Sequence, residues 1–318
     1  MFMKSKIFFL FFLLALAGFL KINPTSAQSE NSGFSISPFF QDITLDKNQS
    51  GALFQLEVAN NNKLPTVLRL SVLNFGALDE SGGVAFLGRE GLPGQGGPEQ
   101  KYGLASWISL ENDTLVLGPG EKKAVKGAIQ NKESLSPGGH YGAIFFTTEK
   151  GSDASINDQN NVTLDPSFAS LLFVRKIGGE IYGLGLSDAN INPNAFTLPG
   201  TVRLRFQNTG NVHLTPRGTV EISDPLGRIV SRGIINSESG IILPETFRVF
   251  PTPMRALTPA FLPGRYKISV AYRYDGQDNF LARNSSFFFV PPVPFVIILL
   301  LATAIFAFWH WKRKGTTD

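Results

Sequence analysis

The sequence predicts an all-β protein, two tandem immunoglobulin-like β-sandwiches followed by a single transmembrane helix. Three observations carry that reading. Short runs alternate apolar and polar residues between Gly, Pro and Asn breaks, with almost no helical period among them. Three turn-and-strand signals occur twice, in the same order, in the two halves of the chain. Each end of the chain carries an apolar segment of a different character.

At the N-terminus, Lys4 and Lys6 precede the apolar run IFFLFFLLALAGFL, and Thr25-Ser26-Ala27 places small residues before a cut. That is the layout of a signal peptide over residues 1–27, cleaved between Ala27 and Gln28. The first sandwich is expected over 34–177. Its signals are NQSGALFQLEVANNN (48–62), LGPGEKKAVKGAI (117–129) and SPGGHYGAIFF (136–146). They return as LPGTVRLRFQNTGN (198–211), ILPETFRVFPTPM (242–254) and LPGRYKISVAY (262–272) in a second sandwich over 179–290. In TVRLRFQN, Val202, Leu204 and Phe206 face one way and Arg203 and Arg205 the other, the mark of a half-buried strand. The boundary falls near Gly178-Gly179. Two long segments enlarge the first sandwich, a Gly/Pro-rich loop at 88–103 and a polar loop at 150–166, and such loops often carry binding surfaces.

The turn before the third signal holds one of three histidines. Pro137-Gly138 followed by Tyr141 matches Pro263-Gly264 followed by Tyr266. Gly138 and Gly264 permit the tight turn, and Tyr141 and Tyr266 are expected to bury their rings with the hydroxyls bonding backbone at the corner. His140 stands where the second copy has Arg265, so it is expected on the opposite face or rim. His140 and Tyr102, which follows the Gly-rich loop, are the candidate ligand contacts. Trp107 reads as core.

The segment 294–311, PFVIILLLATAIFAFWHW, is long enough to cross a hydrocarbon core of ~30 Å. Trp309 and Trp311 fit an interfacial belt, and Lys312, Arg313 and Lys314 fit the positive-inside rule. The expected topology is single-pass, with the bulk extracellular and 312–318 as a cytoplasmic tail.

Composition narrows the function. The chain has no cysteine, which favours a bacterial surface protein over a disulfide-rich eukaryotic ectodomain. Three scattered histidines do not make a zinc site, and no cofactor is implied. The net charge of +4 belongs to the ends. Six of the 29 basic residues (Lys4, Lys6, Lys21, Lys312, Arg313 and Lys314) and one of the 25 acids (Asp318) lie outside the sandwiches, leaving 23 basic and 24 acidic residues. A near-neutral body without a basic stripe argues against a nucleic-acid partner. No GxSxG elbow, HExxH pair, P-loop or cysteine nucleophile is present, so the reading is not an enzyme.

The opening FSISPFFQDITLDKNQSGALFQLEVANNN, then SWISLENDTLVLGPGEKKAVKGAI and PGGHYGAIFF, resembles the N-terminal domain of the WxL-interacting cell-surface proteins of Gram-positive bacteria. FQNTGNVHLTPRGTVEISDPLG (206–227) is similar to their second domain. The resemblance implies a peptidoglycan-binding first domain, a second domain that binds a partner protein, and a C-terminal membrane anchor. It assigns no numbered contact residue. The expected function is therefore a membrane-anchored surface protein that binds a wall polymer and a surface protein non-covalently. An assembly chaperone that donates a strand to a secreted subunit, and a structural spacer, remain the alternatives.

Overall fold

A computed structural model describes residues 33–87, 101–148, 167–190 and 196–314. The expected signal peptide, residues 88–100 of the Gly-rich loop, the polar loop at 150–166 and residues 315–318 lie outside the described residues.

The chain begins with β1 (Phe34–Ser37) and β2 (Phe40–Leu45), which belong to different sheets. Pro38 separates them, and its missing N–H suits a break in the ladder. There follow β3 (Gly51–Asn60), β4 (Thr66–Ala77), β5 (Val84–Leu87), a 3₁₀ turn (Ala105–Trp107), β6 (Ile108–Leu110), β7 (Thr114–Leu117), β8 (Lys122–Gln130), β9 (Gly138–Thr148) and β10 (Ser167–Lys176). One sheet runs β1-β3-β8-β6. The other runs β2-β10-β9-β4-β5, with β7 also paired to β4. All pairs are antiparallel except β2 with β10, which is parallel. The core between the sheets includes Leu45, Phe54, Leu56, Val58, Leu68, Ile129, Phe146, Leu172 and Val174, with Trp107 packed half-buried at its side.

The second set is β11 (Leu184–Asn190), β12 (Thr201–Asn208), β13 (Arg217–Ser223), β14 (Ile229–Ile235), β15 (Phe247–Pro253), β16 (Arg255–Ala256), β17 (Gly264–Arg273) and β18 (Leu281–Phe289). Its sheets run β11-β12-β15 and β16-β14-β13-β17-β18 around a separate core. Val202, Leu204 and Phe206 are fully buried there while Arg203 is exposed, as the alternation requires. Both units have the two-sheet antiparallel layout of an immunoglobulin-like sandwich.

β9 and β10 differ from the other strands. They are buried on successive residues, not alternate ones. Ile144, Phe146, Leu172 and Val174 face the first core. Tyr141, Ala143, Leu171 and Phe173 face outward, into a second cluster with Phe75 and Tyr102. Strands apolar on both faces belong to a sheet covered on both faces.

The chain closes with α1 (Pro292–Lys314). Here the expectation of a single-pass protein is corrected, because no helix among the described residues is long and apolar enough to cross a membrane. The side chains of α1 are described continuously over Val296–Trp309. Trp309 is exposed there. Trp311, Lys312, Arg313 and Lys314 lie on the backbone of α1, but their side chains fall outside the described set, so no interfacial belt is placed.

Candidate functional site

The outward cluster of β9 and β10 is where the two sandwiches meet. Tyr141 and Phe173 pack their rings against His213, with centroids 5.7 and 5.4 Å away. His213 sits in the turn between β12 and β13 and is almost fully buried. Its Nδ1 lies 3.3 Å from the Tyr141 hydroxyl, and its Nε2 lies 3.3 Å from Asp42 on β2 and 3.5 Å from Arg175 on β10. Burial pushes the Tyr141 phenol well above its ordinary pKa, so the hydroxyl keeps its proton beside the His213 ring. Burial alone would raise the Asp42 pKa. The hydrogen bond and charge of His213, with the charge of Arg175, outweigh it and hold the carboxyl below its ordinary value.

Three further groups of hydrogen bonds, centred on Asn211, Glu245 and Glu80, hold the junction. The Gly139 N–H donates to the Asn211 carbonyl at 2.7 Å, and the Asn211 amide donates to the Gly179 carbonyl at 2.9 Å. Lys101 and the Tyr102 hydroxyl both bond Glu245, at 2.7 and 2.8 Å. At the β4–β5 turn, the Arg205 guanidinium holds Glu80 through two bonds of 2.7 and 2.5 Å, and the Val249 N–H donates to the Glu80 carbonyl. The sandwiches are docked over a broad front, not joined by a bare Gly178-Gly179 hinge.

The second sandwich leaves part of the outward face of the first uncovered, and a cleft of about 280 Å³ opens there. Its walls include Phe39, Phe40, Phe75, Leu171 and Phe173 from the first sandwich and Ile241, Leu243, Phe247 and Arg248 from the second. Phe39 and Phe40, 62% and 52% exposed, stand at the mouth. Phe40 begins β2, which among the described residues is an edge strand of its sheet, so an open backbone edge runs beside the cleft. A wider groove of about 480 Å³ lies on the other sheet beside Leu53, Ser109, Glu111 and Lys126. It is flanked by the charged side chains of Glu111 and Lys126 and carries fewer aromatic side chains. The cleft is the better site.

The sequence candidates fall elsewhere. Tyr102 is buried, with its ring in the interdomain cluster and its hydroxyl on Glu245. His140 is also buried, and its Nε2–H donates to the Ser136 carbonyl at 2.7 Å. Neither is displayed to a ligand. The cause is one extra glycine. Tyr266 follows the turn glycine by two residues, Tyr141 by three. Side chains alternate faces along a strand, so His140, not Tyr141, occupies the inward position of Tyr266. The two make the same bond: the Tyr266 hydroxyl donates to Leu262, four residues upstream, as His140 does to Ser136. Tyr141 is turned outward and reaches His213. Gly138 and Gly264 have φ of 121° and 145°, a region open to glycine. Among the described residues no cluster of His, Asp or Glu is placed to hold a metal.

Sequence reasoning missed Phe39, Phe40, Asp42, Arg175, His213 and Arg248. The doubly apolar runs GAIFF and ASLLFV were the available signal for an outward face in need of cover.

No family profile matches the chain, and no curated protein matches it. Among solved structures, the chain is similar to a class 5 fimbriae chaperone, at 13% identity and a TM-score of 0.40 over 81% of this chain and 100% of that one. A chaperone–tip adhesin complex of CFA/I fimbriae gives 14% and 0.41 over 81% and 99%. The E. coli chaperone DraB gives 14% and 0.35 over 79% and 97%. At such identities and scores nothing about binding or activity passes from these proteins to this chain.

Proposed function

We propose that the protein is a non-covalent binding protein for a partner polypeptide, received in the cleft between its two sandwiches. The single observation that carries this reading is the aromatic cleft beside the open edge of β2. An extended segment would pair its backbone along β2 and set alternate side chains between Phe40, Phe173 and Phe247. Backbone pairing supplies affinity, and the cleft selects apolar side chains. Holding a partner chain for assembly, the chaperone role considered from the sequence, is one form of this activity. The partner protein implied by the WxL-interacting resemblance is another.

A wall polymer suits the geometry less well. A glycan site needs polar groups converging on hydroxyls. Tyr102 and His140 are buried, and the cleft walls are mostly carbon.

The test is an array of overlapping 15-residue peptides drawn from the exported proteins of the same cell, probed with the full chain. The wild type should retain a subset rich in apolar side chains. The Phe39→Ser/Phe40→Ser variant should weaken these at least tenfold, since a buried Phe contributes about 2 kcal/mol. Leu53→Ser, an exposed apolar position on the other sheet, should retain them. Retention by the double-Phe variant would contradict the reading.

A further inference from the structure

One wall of the cleft carries a charge with no counter-ion. Arg248 lies half-buried, and its Nη1–H donates to the Ile241 carbonyl at 2.6 Å. Its Nε is buried and bonds nothing. No carboxylate among the described residues forms an ion pair with it. Glu238 acts on it only through its field, and burial lowers the guanidinium pKa. Asp79, the one acid lining the cleft, is spent on its own turn, accepting from the Ser81 N–H at 2.8 Å and the Ser81 hydroxyl at 2.6 Å.

The space for this guanidinium is built in. A Cβ on Gly82 would lie 2.2 Å from the Arg248 guanidinium carbon, and one on Gly240 would lie 2.9 Å from it. Two glycines from opposite sandwiches therefore flank the arginine where it lines a largely apolar cleft. The guanidinium carbon lies 5.2 Å from the Phe250 ring centroid, and a half-buried cation with no ion-paired carboxylate is stabilised further when an anion meets it. An apolar recess with one oriented charged group is the usual form of a specific site.

We propose that Arg248 is an anion anchor, and that the docked segment presents an acidic side chain to it next to the apolar residue filling the aromatic recess. This inference rests on the polypeptide-binding reading above. In an extended segment, residues two apart share a face and lie roughly 6.5–7 Å from one another. The recognised pattern is thus an aromatic or branched apolar residue with Asp or Glu two positions away. The planar fork of arginine meets a carboxylate with paired bonds, which a lysine cannot do.

The probes are pairs of hexapeptides, acetylated at the N-terminus and amidated at the C-terminus, each with one Phe and either Asp or Asn two residues on. Binding to the full chain is measured by isothermal titration. The Asp peptides should bind about tenfold more tightly than their Asn partners, the scale of one charge-assisted hydrogen bond. Arg248→Gln should erase that preference, bringing the ratio of Asp to Asn affinities to about one. Arg248→Lys should keep part of it. Thermal melts within a few degrees of wild type establish that both variants fold. Peptides that bind with no preference for Asp overturn the anchor and leave the cleft reading intact. A preference for a free terminal carboxylate over the internal Asp overturns the assignment to a side chain. Failure of every peptide to bind overturns both.

Discussion

His140 illustrates how a polar residue becomes structural. Its Nε2–H closes a turn onto Ser136, and its ring is buried. Burial is the largest influence on its pKa and lowers it from 6.5. Its hydrogen bonds to Ser136 and Gly103 oppose the shift, and Lys176 adds to it. The folded state therefore binds the proton less readily than the unfolded chain. As pH falls below 6.5 the unfolded chain gains protons first, so stability declines from that point until the folded value is reached. Urea unfolding between pH 7.5 and 5 should show this loss, and His140→Gln, which can still donate to Ser136, should flatten it. An unchanged slope in the variant would show that other groups set it. The lowered carboxyl of Asp42 acts in a separate window, since its contribution is lost only as pH falls below 3.8. The sequence pointed to the importance of this turn but placed His140 on the wrong face. The motif match ignored one inserted residue, and along a strand one residue exchanges inside for outside.

At the scale of elements, the β9 turn works through what it lacks. A Cβ on Gly139 would fall 2.2 Å from the Tyr141 hydroxyl oxygen. Gly139→Ala must displace that hydroxyl from His213 or shift the start of β9 from Asn211. The expected cost is about 1–3 kcal/mol, as for other overpacked sites, read from urea unfolding. Gly185→Ala on β11, where nothing lies within 4 Å, is the control and should change stability little. The strands themselves were largely legible. Val202, Leu204 and Phe206 alternate cleanly with arginines because one face of β12 meets the core and the other does not. β9 and β10 were recognised as strands, but their outward cover was not. Continuous apolar runs say that both faces are buried without saying by what. The C-terminal apolar run was legible as a helix, but no helix among the described residues is long and apolar enough to cross a membrane.

At the scale of the molecule, docking creates the site. Neither sandwich alone has the cleft, whose walls come from β2, β4 and β10 on one side and residues 239–248 on the other. The contacts that fix its width join residues far apart in the chain, such as Glu80 with Arg205 and Tyr102 with Glu245. No local pattern announces such pairs, which is why the site was invisible in the sequence while the strands around it were not. The central claim is that a partner polypeptide lies in this cleft. It is tested most directly by placing a photoreactive benzoyl-phenylalanine at Phe40 or, as the control, at Leu53, and irradiating the cells that make the protein. The account predicts a discrete covalent adduct to a polypeptide from position 40 and none from position 53, with mass spectrometry locating the join on an apolar stretch of the partner. Adducts from both positions alike, or none from position 40, would contradict it.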